Sequence, residues 1–293
     1  VTVQMQSRRQ AAEVPAAGRP RRRRSSGLSR SGGMFLVLVA YAAPVLLVVS
    51  NSLKSDQEIL DDPLGLPASP TLHNYTEAAR TMYYLGAFWN TLVLTVTSVV
   101  VLCFFGSMTA YFLTRVRWRF NQVVFYLMIA AMLLPFQVLM IPMIKLLGST
   151  GMLQQSWSIV YIYFATGVPL AVFMYAGFIR SIPREMDEAA MLDGCNRLQT
   201  FFRVVLPLLR PVTLTIAILD ALWIWNDFLM PFLVLRRPEQ RTLTLATLAF
   251  VQSHTTDYGP MMAALVLTVL PILVAYLFMQ RHIVEGLTKG AVK

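Results

Sequence analysis

Apolar residues follow one another almost without interruption in six stretches of the chain, at about Gly33 to Leu53, Ala87 to Thr114, Val123 to Leu147, Trp157 to Ile179, Val212 to Leu235 and Met261 to Gln280. Each is long enough to cross a hydrocarbon layer, which at the helical rise takes roughly 20 residues. The pattern predicts an all-α membrane protein with six transmembrane helices. Between the spans, the polar positions divide the chain further. Residues 1–32 are rich in Arg, Ser, Ala, Gly and Pro and read as a disordered basic tail. Residues 33–85 hold the first span and an acidic, turn-prone loop with Asp56, Glu58, Asp61 and Asp62. Residues 86–280 form a core of five spans, interrupted by a longer connection at 180–210, and 281–293 make a C-terminal tail.

Composition strengthens the membrane reading. Of 293 residues, 56% are hydrophobic and 14% charged, and the mean hydropathy is +0.57, too apolar for a soluble domain of ordinary surface-to-volume ratio. The formal charge of +10 could indicate a nucleic-acid partner, but the basic residues track the span ends instead. The N-terminal tail, the connection with Arg115, Arg117 and Arg119, the connection with Arg180, Arg184, Arg197, Arg203 and Arg210, and the tail with Arg281, Lys289 and Lys293 all share one side. The opposite side keeps Lys54, Arg80, Arg236, Arg237 and Arg241, with Lys145 near a span end. The bias predicts that both termini are cytoplasmic. The run Arg21 to Arg24 then reads as a topogenic anchor beside anionic lipid, with no nucleic acid involved.

Other chemistry is sparse. Cys103 falls within a span and Cys195 in a cytoplasmic connection, which argues against a structural disulfide. His73, His254 and His282 are scattered and predict no metal site. The first apolar run lacks a clear cleavage pattern and reads as a retained anchor. Pro135 and Pro142 in the third span, Gly167 and Pro169 in the fourth and Pro271 in the sixth predict bent helices around a passage, while Gly106 with Ala110 allows close helix approach. No inverted repeat is evident. A Gly-x-x-x-x-Gly-Lys phosphate cradle is also missing from the sequence, so an ATP-driven process would need another polypeptide to bind ATP.

The connection from Ile182 to Pro207 has a helical pattern of its own. Pro183 suits a first turn and Glu185, Asp187 and Glu188 a helix N-terminus. Gly194 permits the positive φ of a helix stop. Leu198, Phe201, Phe202 and Val205 then recur at spacings of three and four, predicting one apolar face. Two short helices meeting at Gly194 are suited to docking in a partner's groove.

In this segment Glu188, Ala189 and Ala190, then Gly194, Val204, Leu206 and Pro207 at fixed spacing resemble the EAA signature of ABC importer permeases, with Val204 in place of the usual isoleucine. Ser52-Leu53-Lys54, Asn74-Tyr75, Asn90-Thr91-Leu92, Leu134-Pro135 to Gln137, Ile141-Pro142, Trp225-Asn226-Asp227 and the ending Gly286 to Lys293 resemble the maltose-type carbohydrate permeases, in particular the smaller subunit of the pair. The resemblance implies a MetI-like permease fold and a subunit that is not itself an enzyme. It also implies coupling to an ATPase through Glu188, Ala189, Ala190, Asp193, Gly194, Arg197, Leu206 and Pro207, and a tail contact through Gly286, Lys289 and Gly290. The implied partners are a second related permease, a dimer of ATP-binding subunits that hold ATP and Mg, and an extracytoplasmic sugar-binding protein or lipoprotein. The implied cargo is a disaccharide or short oligosaccharide, moved by alternating access, and this chain needs no cofactor of its own.

Asp220 and Asp227 lie in the fifth predicted span, where an acid at the bilayer centre costs roughly 2.5 to 3.5 kcal/mol. Their spacing places them on one face with Trp223, beside Asn226. Two readings stay open: a polar, aromatic stripe along the translocation pathway, or interhelical hydrogen bonds that hold the bundle. At the level of function the alternatives are the same architecture carrying another solute such as glycerol phosphate, an intramembrane enzyme, and a proton-driven carrier in which Asp220 titrates.

Overall fold

The structure, a computed structural model, describes residues 26–251 and 257–291, without the side chains of 26–31 and 281–291. Every regular element among the described residues is helical. They fall into two units divided after Leu46. The first is the greater part of helix α1 (Ser26–Asn51), which exposes Met34, Phe35 and Leu36 along its length. The helix already begins at Ser26, within the stretch expected as a tail, while residues 1–25 lie outside the description.

The second unit opens with a polar knot that joins distant parts of the chain. Lys54 is fully buried and donates from Nζ to the carbonyl oxygen of Asp62 at 2.8 Å. Asn74, in α3 (His73–Thr81), donates to the carbonyl oxygens of Ser52 and Lys54 at 2.9 and 2.7 Å. Ser52 Oγ lies 2.7 Å from the Tyr75 hydroxyl. The buried side chains of Ser52, Lys54 and Asn74 each find a partner, as burial demands. Helix α2 (Asp56–Asp61) adds Asp56, whose Oδ1 accepts from the backbone N–H of Gly259 at 2.7 Å.

Two long helices form the centre, α4 (Tyr84–Arg115) and α7 (Ser156–Ser181). They meet where side chains are smallest. A Cβ on Gly106 would come within 3.1 Å of Ala171 Cβ, and one on Gly167 within 3.0 Å of Leu102 and 3.3 Å of Trp223. The predicted role of Gly106 in close helix approach is thus realised against α7. Helix α7 also runs unbroken through Gly167 and Pro169. The same holds for Pro142 in α6 (Phe136–Ser149) and Pro271 in α15 (Tyr258–Ala291).

Among the described residues four helices are long and apolar enough to cross a membrane alone, and two bent pairs bring the number to six if each pair is one crossing. The third predicted span is one such pair, not a continuous helix. Helix α5 (Arg119–Ala131) and α6 are set at 105° around the break at 132–135. Pro135 is the physical cause, because its ring disfavours helical backbone at Leu134 and it then opens the next helix as its N-cap. The fifth predicted span is also corrected. Helix α11 (Arg210–Asn226) starts earlier and stops at Asn226, and a separate α12 (Leu229–Val234) follows.

Candidate functional site

The 182–209 connection is built as two short helices around one turn. Helix α8 (Glu185–Leu192) starts just after Pro183 and carries Glu185, Asp187 and Glu188 in its first turn, where negative charge offsets the unsatisfied N–H groups. It ends in a Schellman turn. The Gly194 N–H donates to the Met191 carbonyl at 3.1 Å and the Cys195 N–H to the Ala190 carbonyl at 3.0 Å, with Gly194 at φ +87°. Helix α9 (Arg197–Thr200) begins at once with a capping box. Asn196 Oδ1 accepts from the Gln199 N–H and Gln199 Oε1 from the Asn196 N–H, both at 2.9 Å. The Asn-x-x-Gln spacing that announces this cap was readable in the sequence.

Beyond Thr200 the helix widens into a π turn over Phe201–Val205, in which the Leu206 N–H reaches back to the Phe201 carbonyl. Pro207 lies in α10 (Leu206–Leu208) immediately after, and its ring is crowded by the carbonyl four residues earlier in a regular α turn. The 197–208 segment meets α11 at 75°. Its apolar residues do not form the single face expected from their spacing. Phe201 and Val205 are buried with Tyr111, Tyr175 and Ile179, whereas Leu198 and Phe202 remain exposed. The widened turn changes the angular step between residues and so divides the face.

The predicted residues sort accordingly. Glu188, Ala189, Asp193, Gly194, Arg197 and Pro207 are exposed, Leu206 is half-buried and Ala190 is buried. Leu192 is 89% exposed, and Met186, Met191 and Leu198 close to it in the chain are exposed too, whereas the ring of Phe202 lies 6.1 Å from that of Phe104 on α4. A cavity of about 100 Å³ is lined by Tyr111 and Arg115 of α4 together with Arg184, Asp187, Glu188, Met191 and Arg197. The segment thus exposes apolar and charged side chains together, a combination that fits protein contact.

Two further residues hold this segment against α4. Arg115, the last residue of α4, places Nε 2.7 Å from Asp187 Oδ2, and the two side chains are only 8% and 6% exposed. Arg115 also donates from Nη2 to the Ile182 carbonyl at 2.9 Å. Burial pushes the Asp187 carboxyl above the ordinary range, against the opposing pull of the Arg115 and Arg184 charges. Arg115 counted in the sequence only as a topogenic charge and Asp187 only as a helix-start acid, since nothing local pairs them.

The fifth-span residues form no continuous stripe. Asp220 is 5% exposed and its Oδ2 is buried with no hydrogen-bond partner among the described residues. Trp223 is half-exposed, packed edge-to-face on Tyr163 at 5.3 Å, and Asn226 is exposed, its amide donating to the Leu222 carbonyl. Because the helix stops at Asn226, Asp227 leaves the face it was expected to share. Its Oδ2 accepts from the Tyr163 hydroxyl at 2.8 Å, its Oδ1 from the Leu229 N–H at 3.0 Å, and its carbonyl from the Thr244 hydroxyl at 2.8 Å. Asp227 thereby ties α7, α12 and α13 (Leu243–Ala246) together. Gly286, Lys289 and Gly290 lie on α15 where side chains are outside the description, as is His254. No group of three or more His, Cys, Asp or Glu among the described residues could hold a metal ion.

Residues 103–289 match the family described as binding-protein-dependent transport system inner membrane component. The chain belongs to this family. It is therefore a multi-pass permease component of an importer, and its helical architecture is the MetI-like permease fold. It is 39% identical over 261 residues to a Thermoanaerobacterium thermosulfurigenes protein named "Probable starch degradation products transport system permease protein", covering 89% of this chain and 94% of the relative. A multiple sugar-binding transport system permease of Streptococcus mutans is 35% identical, again over 89% and 94%. A melibiose, raffinose and stachyose import permease of Bacillus subtilis is 35% identical over 88% and 94%. Among solved structures, a bacterial ABC transporter involved in import of the acidic polysaccharide alginate superposes with a TM-score of 0.71 at 22% identity, covering 87% of this chain and 95% of that one. This last likeness concerns the fold alone.

Proposed function

We propose that this permease carries a disaccharide or short oligosaccharide into the cytoplasm, with the 185–208 helices seated in a partner ATP-binding subunit. The observation that carries the reading is the exposed segment around Gly194: the apolar side chains of Met191, Leu192 and Leu198 alternate along the chain with the exposed charges of Glu188, Asp193 and Arg197. An exposed segment of this kind is stabilised by a partner groove that takes helix faces. The basic residues of the two connections on this side of the spans, Arg115, Arg117, Arg119, Arg180, Arg184, Arg197, Arg203 and Arg210, favour the cytoplasmic side. The saccharide assignment rests on the relatives, whose names refer to starch products, multiple sugars and melibiose-type sugars.

The subunit pairs with a second, related permease and receives its cargo from an extracytoplasmic sugar-binding protein or lipoprotein. ATP and Mg belong to a dimer of partner subunits, whose closure pulls on the docked helices and turns the permeases from inward-open to outward-open. Both termini are cytoplasmic in this arrangement, and residues 281–293, with Gly286, Lys289 and Gly290, add a tail contact. The test is Leu192→Asp together with Glu188→Ala. Each should leave the subunit in the membrane at normal level, reduce the ATPase recovered with it and abolish ATP-dependent sugar uptake. Unchanged ATPase recovery and uptake for both variants would refute the docking role. Uptake sustained by a proton gradient without ATP would indicate a secondary carrier.

A further inference from the structure

The docking segment is tied covalently to the membrane helices at each end. At one end 197–208 continues through Leu209 into α11 at a 75° corner, with Phe201, Val205 and Leu209 buried in the helix bundle. At the other end α8 follows α7 through the short stretch Ile182–Arg184, and its buried residues are Asp187 and Ala190. Gly194, at its far end, has open space around the position of a Cβ. A helix held between a glycine turn and a short connection can pivot unless a third point restrains it. That point is the ion pair of Asp187 with Arg115, 2.7 Å apart and almost shielded from water. The clamp extends to both backbones, because Arg115 donates to the Ile182 carbonyl at 2.9 Å and Arg184 to the Thr114 carbonyl at 3.5 Å.

Arg115 is the terminal residue of α4, and α4 is pressed on α7 through Gly106 and Ala171 with no room for an added Cβ. A displacement of α8 is therefore passed to α4 as well as along the chain to α7. We propose that Arg115 and Asp187 form a strut that transmits movement of the docked α8 to the end of α4, a line of force beside the chain connections into α7 and α11. Both side chains are almost wholly buried. Both are positioning residues, and the proposal rests on the docking reading given above.

The experiment uses the complete transporter in proteoliposomes with its sugar-binding protein. Asp187→Asn and Arg115→Gln should keep the ATPase bound in full and leave basal hydrolysis unchanged. Stimulation of hydrolysis by the loaded binding protein, and uptake, should both fall by about ten-fold or more. Asp187→Glu should restore most of both. A mechanical strut is separated from a local folding requirement by a chain with Cys103→Ser and Cys195→Ser that also carries Arg115→Cys and Asp187→Cys. Bridging the introduced thiols with a short bifunctional reagent should recover stimulation that the unbridged form lacks. Full stimulation in assembled Asp187→Asn, loss of the ATPase from that variant, or no recovery on bridging would each overturn the strut. Failure of the docking reading shows separately, as undiminished ATPase binding in Leu192→Asp.

Discussion

Gly194 adopts φ +87° in a Schellman turn, a conformation that costs a residue with a Cβ roughly 1 to 2 kcal/mol. Nothing lies within 4 Å of the position its Cβ would take, so the cost is in the backbone and not in a clash. Gly194→Val should insert normally but recover less ATPase and lose uptake, and Gly194→Asn, which tolerates left-handed backbone better, should retain more of both. Asp227 gives a different expectation. Its side chain joins the Tyr163 hydroxyl to the first N–H groups of α12, so its removal should loosen the bundle. Asp227→Ala should lower stability in detergent by about 1.5 to 3 kcal/mol, Tyr163→Phe by about half as much, and the double variant by less than the sum. Thermal midpoints of the extracted protein would measure this. Unchanged midpoints with lost uptake would return Asp227 to the passage.

At the scale of elements, the central pair α4 and α7 depends on two glycines being small. Gly167 faces Leu102 and Trp223 at distances that leave no room for more, while Gly177 on the same helix has nothing within 4 Å. Gly167→Leu should therefore force the helices apart and cost about 1 to 3 kcal/mol, whereas Gly177→Leu should be tolerated. The yield and thermal midpoint of the extracted permease would separate the two. Sequence reading had taken Gly167 with Pro169 as a helix breaker. A proline within a long helix flanked by packed neighbours can be accommodated, and α7 continues through both. Pro135 broke its helix because the segment beyond it found other packing: Phe136, Met143, Ile144 and Leu147 join a cluster with residues of α4, α7 and α12. The residue type is the same at each site, and the surrounding contacts decide the outcome.

For the molecule as a whole, the charge asymmetry predicts sidedness. Ser69 and Asn196 are both exposed, near opposite ends of the spans in the proposed orientation. In sealed cells an impermeant thiol reagent should label Ser69→Cys and spare Asn196→Cys, and permeabilisation should expose the latter. Labelling of Asn196→Cys in intact cells would invert the topology and remove the docking segment from the ATPase side.

The amino-acid sequence alone determined that the chain crosses a membrane, where most of its long helices lie and which connection carries two short helices of its own. These depend on local quantities: lengths of apolar runs, proline and glycine positions, and lysine and arginine near span ends. The turn at Gly194 and the acids at the start of α8 were legible for the same reason, because they are properties of adjacent residues. The tertiary structure decided what depends on residues distant in the chain. It joined Arg115 to Asp187 and Tyr163 to Asp227, divided the apolar residues after Arg197 between core and surface, and broke the helix at Pro135 while α7 continued through Pro169. An ion pair or a helix break has its energy set by burial and by the partner across the interface, and neither is encoded in the spacing along one segment.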